Sequence, residues 1–145
     1  MQSYAHIKQG WYEVGGKTIF CRSRYEMLFA CWCEHSKSER NILDWEHEPK
    51  TFWFEGIKRG CVSYKPDFKI FMSPAFKSTM GGHYWVELKG YMDSKSATKI
   101  KRFKKYFPEE SLVVLGDRWI KEHMSDLKNI EQIMNGKRVE KPAKR

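Results

Sequence analysis

Glu87 and Lys89 stand one residue apart in Val86-Glu87-Leu88-Lys89-Gly90, where apolar and charged residues alternate as on a β-strand. On a strand, that spacing sends both charged side chains to one face and Val86 and Leu88 to the other. Pro66-Asp67-Phe68 lies in the preceding β-prone segment. If the two strands pair, Asp67 comes within reach of Glu87, and two neighbouring carboxylates repel each other unless a cation stands between them. Mg²⁺ suits that place, because it prefers hard oxygen ligands and is typically held by one or two carboxylates plus water and substrate phosphate. Lys89 then sits where an attacking water or a scissile phosphate would lie. The plainer reading is a salt bridge on a solvated strand face, with Asp67 as ordinary Pro-Asp turn chemistry. The joint pattern is more specific than either half.

Glu26 is the third acidic candidate. Ser23 and Glu26 match the Ser-x-x-Glu capping box, in which both side chains only satisfy free N–H groups at a helix start. Glu26 also borders the apolar stripe of that helix, which directs it towards the sheet, so both readings stand. Zinc is a weaker alternative: Cys31, Cys33 and His35 cluster near Cys21, but there is no Cys-x₂-Cys pair, and buried thiols are the expectation. Of the scattered histidines, His47 and His83 are expected beside the site.

These residues need a scaffold. Tyr25, Leu28, Phe29, Trp32 and Cys33 follow i, i+3, i+4, i+7, i+8 and predict a helix packed on a core between Arg22 and His35. Before it, Gly15-Gly16 reads as the turn of a hairpin between Trp11–Val14 and Thr18–Cys21. After it, Ile42–Trp45 and Thr51–Phe54 read as short strands around Pro49. Cys61–Tyr64, Phe68–Phe71 and His83–Leu88 predict three strands of an antiparallel meander. Lys95–Phe107 is a basic helix stopped by Pro108, Leu112–Leu115 an apolar strand of buried type, and Arg118–Met134 a last helix. A strand reached through a helical crossover pairs in parallel, so the expected class is α/β, with a mixed central sheet flanked by helices.

The chain has 145 residues, and 27 Lys+Arg against 18 Asp+Glu give a net charge of +9, which points to an anionic partner, nucleic acid above all. Its 41% hydrophobic content fills one core and excludes a wholly disordered chain. The longest apolar run, Met27–Cys33, is far short of the roughly 20 residues of a membrane span, and Met1–Gly10 lacks the features of a secretory signal. A cytoplasmic protein with reduced cysteines is therefore expected. Lys95, Lys99, Lys101, Arg102, Lys104 and Lys105 place six cations and no acid between residues 95 and 105, with Ile100, Phe103 and Phe107 as the inward stripe. Such a helix suits a phosphate backbone, and Lys95, Lys99, Lys101, Arg102 and Lys105 are the candidate DNA contacts.

Helix-borne Glu26, Pro66-Asp67 and Glu87-x-Lys89 resemble, in order and character, the PD-(D/E)XK nuclease superfamily. Within it, the segment from Phe20 to Leu115 is most similar to the phage endonuclease I group of Holliday-junction resolvases. The likeness rests on Trp45-Glu46-His47-Glu48, Tyr64-Lys65-Pro66-Asp67-Phe68, Trp85-Val86-Glu87-Leu88-Lys89-Gly90 and the Lys-rich helix ending in Phe107-Pro108-Glu109. It implies a restriction-endonuclease-like core, with Asp67, Glu87 and Glu26 as metal ligands and Lys89 orienting water or stabilising developing charge. Mg²⁺ is the implied cofactor, with Mn²⁺ able to substitute, and branched or junction DNA is the implied substrate. Symmetric cutting of two strands implies a homodimer. Residues 1–21 then read as an arm and candidate dimerisation element, 22–136 as the nuclease domain and 137–145 as a basic disordered tail. The departures are the longer loop from Ser73 to Gly82 and the aromatic Phe52-Trp53-Phe54 segment. Two rivals remain: a nicking, end-processing or transposase-type nuclease, separable by its substrates, and a non-catalytic DNA-binding module, expected to lack one of Asp67, Glu87 or Lys89.

Overall fold

The computed structural model describes residues 9–74 and 82–143. The chain runs β1 (Gly10–Val14), β2 (Lys17–Cys21), α1 (Arg24–Ser38), β3 (Ile42–His47), β4 (Phe52–Trp53), β5 (Ser63–Tyr64), β6 (Phe68–Met72), β7 (His83–Lys89), α2 (Ser94–Tyr106), β8 (Leu112–Gly116), α3 (Asp117–Met134) and β9 (Lys137–Val139). Of the loop from Ser73 to Gly82, residues 75–81 lie outside the described residues.

Gly15 and Gly16, at φ 57° and 80°, make the two-residue turn between β1 and β2, a backbone shape that side-chain-bearing residues resist. Ser23 caps α1 by accepting a hydrogen bond from the Glu26 N–H at 3.3 Å. The predicted stripe is buried through Tyr25, Leu28, Phe29 and Cys33, and Met27, Ala30 and Cys31 are buried as well. Asp93, just before the expected start of the basic helix, caps α2 through the Ser96 N–H at 2.7 Å.

The central sheet has the order β3-β6-β7-β8, antiparallel except for the parallel pair β7–β8 that α2 connects. Among the described residues the protein is therefore α/β, with three helices and a mixed sheet. Side-chain alternation splits its faces. Trp45, Phe68, Ile70 and Val86 pack with α1 in one core cluster, and Trp85 packs with Phe52, Phe54, Tyr64 and Phe103 in the other.

The structure differs from the sequence-based expectation in four places. The meander is β3, β6 and β7, because Cys61–Tyr64 contributes only β5, which leaves the sheet to pair with β4 as a two-stranded ribbon. The ribbon buries Phe52 and Tyr64 against Phe103. The Leu112–Leu115 strand is not fully buried: β8 is an edge strand, and Val113 is exposed. The tail is not disordered throughout, because Lys137–Val139 form β9 on β1. Residues within 1–21 also belong to the body of the fold, since Val14, Ile19 and Cys21 lie in the α1-side core.

Among the described residues, no helix is long and apolar enough to cross a membrane. Cys21, Cys31, Cys33 and Cys61 are buried free thiols.

Candidate active site

The register places the acidic pair. Phe68 on β6 opposes Val86 on β7, so one step further Asp67 faces Glu87, both on the sheet face that carries α2 and the ribbon. The Leu88 N–H donates to Asp67 Oδ2 at 2.8 Å, and the Tyr64 hydroxyl donates to Glu87 Oε1 at 2.6 Å. Lys89 follows on the Glu87 face, as its spacing predicts. These side chains meet where β3 ends, β6 begins and β7 ends, in a cleft of about 310 Å³.

Glu26 enters this cleft from α1, beyond the end of the sheet. The capping box is half-formed: Ser23 caps, while the Glu26 carboxylate turns to His47, with Nε2 and Oε2 2.9 Å apart. The His47 side chain is only 4% exposed, so this contact fixes the Glu26 rotamer in a desolvated place. Among the described residues, Glu26 and Glu87 are the only buried charged side chains, and both line this cleft. Buried acids without an apolar purpose are costly, and their concentration at one concave place marks a functional site.

Electrostatics agree with the geometry. Burial first, and then the facing Glu87, push the Asp67 carboxyl well above the ordinary carboxylate range. Burial also raises Glu87, opposed by the Tyr64 hydrogen bond and the Lys89 charge. The pair holds its protons more tightly than free acids do, and a cation in the cleft would relieve it. Asp67, Glu87 and Glu26 offer hard oxygens of the kind Mg²⁺ or Mn²⁺ takes, and a carboxylate bound by one donor keeps acceptor capacity for an ion. Among the described residues, no three His, Cys, Asp or Glu side chains are already gathered into a metal cage. Glu26 and Glu87 are instead held by different protein donors, His47 and Tyr64.

Arg22, Glu48, Tyr64 and Lys65 are among the lining residues that the sequence-based expectation did not include. Arg22 Nη1 bridges both oxygens of Glu48 at 3.0 and 2.9 Å. Glu48 itself has φ 46°, and its N–H donates to the Asp67 carbonyl at 2.8 Å. A non-glycine residue in that region is strained by about 1–3 kcal/mol, and such strain gathers at functional sites. Glu48 was visible as the end of the Trp45–Glu48 segment before Pro49, and Tyr64 as the aromatic before Lys65-Pro66-Asp67. Their contacts depend on pairings distant in sequence.

The expected neighbours fare differently. His83 lies at the far end of β7, where its Nε2 pairs with Glu110 Oε2 at 2.8 Å, so it does not line the cleft and the sequence-based expectation is corrected. Of the proposed phosphate contacts on α2, Lys99 lines the cleft beside Ser96 and Ile100. Lys95, Lys101 and Lys105 are exposed along the helix. Arg102 Nη1 donates to the Cys61 carbonyl at 2.7 Å and so ties the loop before β5 to α2. The cleft thus has four carboxylates, from Glu26, Glu48, Asp67 and Glu87, facing four cations, from Arg22, Lys65, Lys89 and Lys99. No protein-family model, curated protein or solved structure matches this chain.

Proposed function

We propose that the protein is a metal-dependent endodeoxyribonuclease of the PD-(D/E)XK type, built on a restriction-endonuclease-like core and cutting branched DNA such as Holliday junctions. One observation carries the reading: the only buried charged residues among those described, Glu26 and Glu87, share one cleft with Asp67, Lys89 and Lys99. A cleft of mixed charge suits a phosphodiester, whose oxygens need cations and whose attacking water needs a base-side environment.

Asp67, Glu87 and Glu26 would hold Mg²⁺ or Mn²⁺, which would supply charge stabilisation to the attacking and leaving oxygens. The Leu88 N–H keeps Asp67 aimed into the cleft, Tyr64 does the same for Glu87, and His47 for Glu26. Lys89 brings an ammonium to the strand face where a scissile phosphate lies beside Glu87, and it orients the water or offsets developing charge. Lys99 and the exposed lysines of α2 bind flanking phosphates without reading sequence. A two-fold dimer would present two such clefts to the two strands of a junction.

The purified protein, incubated with four-way junction, flap, nicked and linear duplexes with and without Mg²⁺, tests the reading. Junction cleavage that requires Mg²⁺ is expected. A preference for nicked or end-bearing duplex would favour a nicking or transposase-type enzyme instead. The absence, among the described residues, of a ready-made three-ligand cage favours a second reading, a DNA-binding module without catalysis. Tight junction binding with no cleavage in Mg²⁺ or Mn²⁺ would decide for it.

A further inference from the structure

Two large aromatic side chains are exposed on segments that adjoin cleft residues and take no part in the proposed chemistry. Tyr91 is 79% exposed and Trp53 67%. Tyr91 follows Lys89 by two residues, in the short connection to α2, so it stands at the rim beside a cleft lysine. Trp53 pairs with Ser63 across the β4–β5 ribbon, and Ser63 precedes Lys65, another cleft lysine, by two residues. Trp53 lies directly opposite Ser63 and is exposed while Phe52 and Tyr64 beside them are buried, so its ring stands on the outward face of the ribbon.

Neither aromatic serves the core. Phe52 and Phe54, the neighbours of Trp53, supply the ribbon's apolar anchor against Phe103, Tyr106 and Phe107. The ribbon and its turn carry Lys50, Lys58, Arg59 and Lys65, all exposed, against one acid, Glu55. An exposed tryptophan among cations, next to a cleft lined with lysines, is poorly suited to an apolar protein partner and well suited to an anion that carries flat π-faces.

We propose that Trp53 and Tyr91 are base-stacking platforms for DNA held in the phosphate-binding cleft, each taking one unpaired nucleobase. The inference rests on the reading of the cleft as a DNA site and adds what the strand must offer there: bases free of the duplex stack. The lysines hold the backbone, and the two rings hold bases of the same strand. Stacking is indifferent to base identity, so the platforms select for unpaired structure and not for sequence.

The test uses the full-length protein in EDTA, where no cutting is expected, with fluorescence anisotropy on three labelled DNAs: a fully paired duplex, the same duplex with a short single-stranded gap, and a single strand. Trp53→Ala and Tyr91→Ala alter exposed side chains and should leave the melting temperature unchanged, whereas Trp53→Phe keeps a stacking face. Each alanine variant should weaken gapped and single-stranded binding by roughly 5- to 100-fold and leave paired duplex within about twofold, and Trp53→Phe should retain the binding that Trp53→Ala gives up. Equal weakening on all three DNAs, or none on any, would overturn the platforms. A change of oligomeric state in Trp53→Ala by sedimentation would overturn them too, by assigning that ring to a second copy of the chain. If wild type binds neither these DNAs nor a four-way junction, the cleft reading itself fails; if it binds the junction alone, or binds these DNAs and the alanine variants match it, only the platforms fail.

Discussion

Asp67 and Glu87 are acids placed where acids are unfavourable. A folded carboxyl that keeps its proton to higher pH than the unfolded one makes the native state bind more protons across that interval, so stability falls as pH rises through it. Asp67→Asn, with the Leu88 N–H still satisfied by the amide oxygen, should therefore raise stability at neutral pH in EDTA, by roughly 1 kcal/mol or more. The same variant should lose Mg²⁺-dependent cleavage. Thermal melting beside a nuclease assay checks both, and a variant that is less stable yet active would contradict the placement of Asp67. Tyr64→Phe removes the hydroxyl that holds Glu87 and lowers its proton affinity. Activity should fall by about 10- to 100-fold, as for other groups that orient metal ligands. Because Glu87 must be ionised to bind a cation, the rising limb of the pH–rate profile should move to higher pH. An unmoved limb would mean that Tyr64 does not govern Glu87.

Elements built from local periodicity were legible in the sequence, and elements built from distant pairing were not. The Glu87-x-Lys89 alternation fixed a strand face because a strand repeats every two residues, and Val86 does pack into the α1-side core. The stripe of α1 was legible for the same reason at the helical period. The β4–β5 ribbon was not, since nothing local says that Ser63–Tyr64 leaves β6 to join Phe52–Trp53. With it went the role of Tyr64. Glu26 could be narrowed only to cap or ligand by sequence, and its contact with His47 needed the end of β3 beside the first turn of α1. His83 lies outside the cleft because four steps of strand, at about 3.3 Å each, carry it away from Glu87. On α2, Lys95, Lys99 and Lys105 carry the phosphate-binding expectation, while Arg102 is engaged with Cys61. Reversing the charge of those three lysines should weaken DNA binding and reduce the slope of log K against log salt by about 0.9 for each phosphate no longer neutralised. An unchanged slope would remove the helix from the interface.

At the scale of the whole molecule, the two ends of the described chain close on each other. β9 pairs with β1, and Gly136 packs against Cys31, Met27 and Val14 beneath α1. A two-stranded hairpin alone is marginal, so β9 turns the β1–β2 hairpin into a sheet that backs the helix carrying Glu26. Deleting residues 137–145 should lower the melting temperature by a few degrees and speed amide exchange in Gly10–Cys21, while β6 and β7 stay protected. Uniform loss of protection would mean that the hairpin and the central sheet unfold together. The cleft ties these levels together through carboxylates carried by α1, by the lead into β6 and by β7. Calorimetric titration with Mn²⁺, in two buffers of different ionisation enthalpy, tests that convergence most directly. Wild type is expected to take up the ion saturably and release protons from Asp67 and Glu87, and the Asp67→Asn, Glu87→Gln double variant to take up none. Equal uptake by both proteins, or no uptake by wild type, would contradict the carboxylate centre.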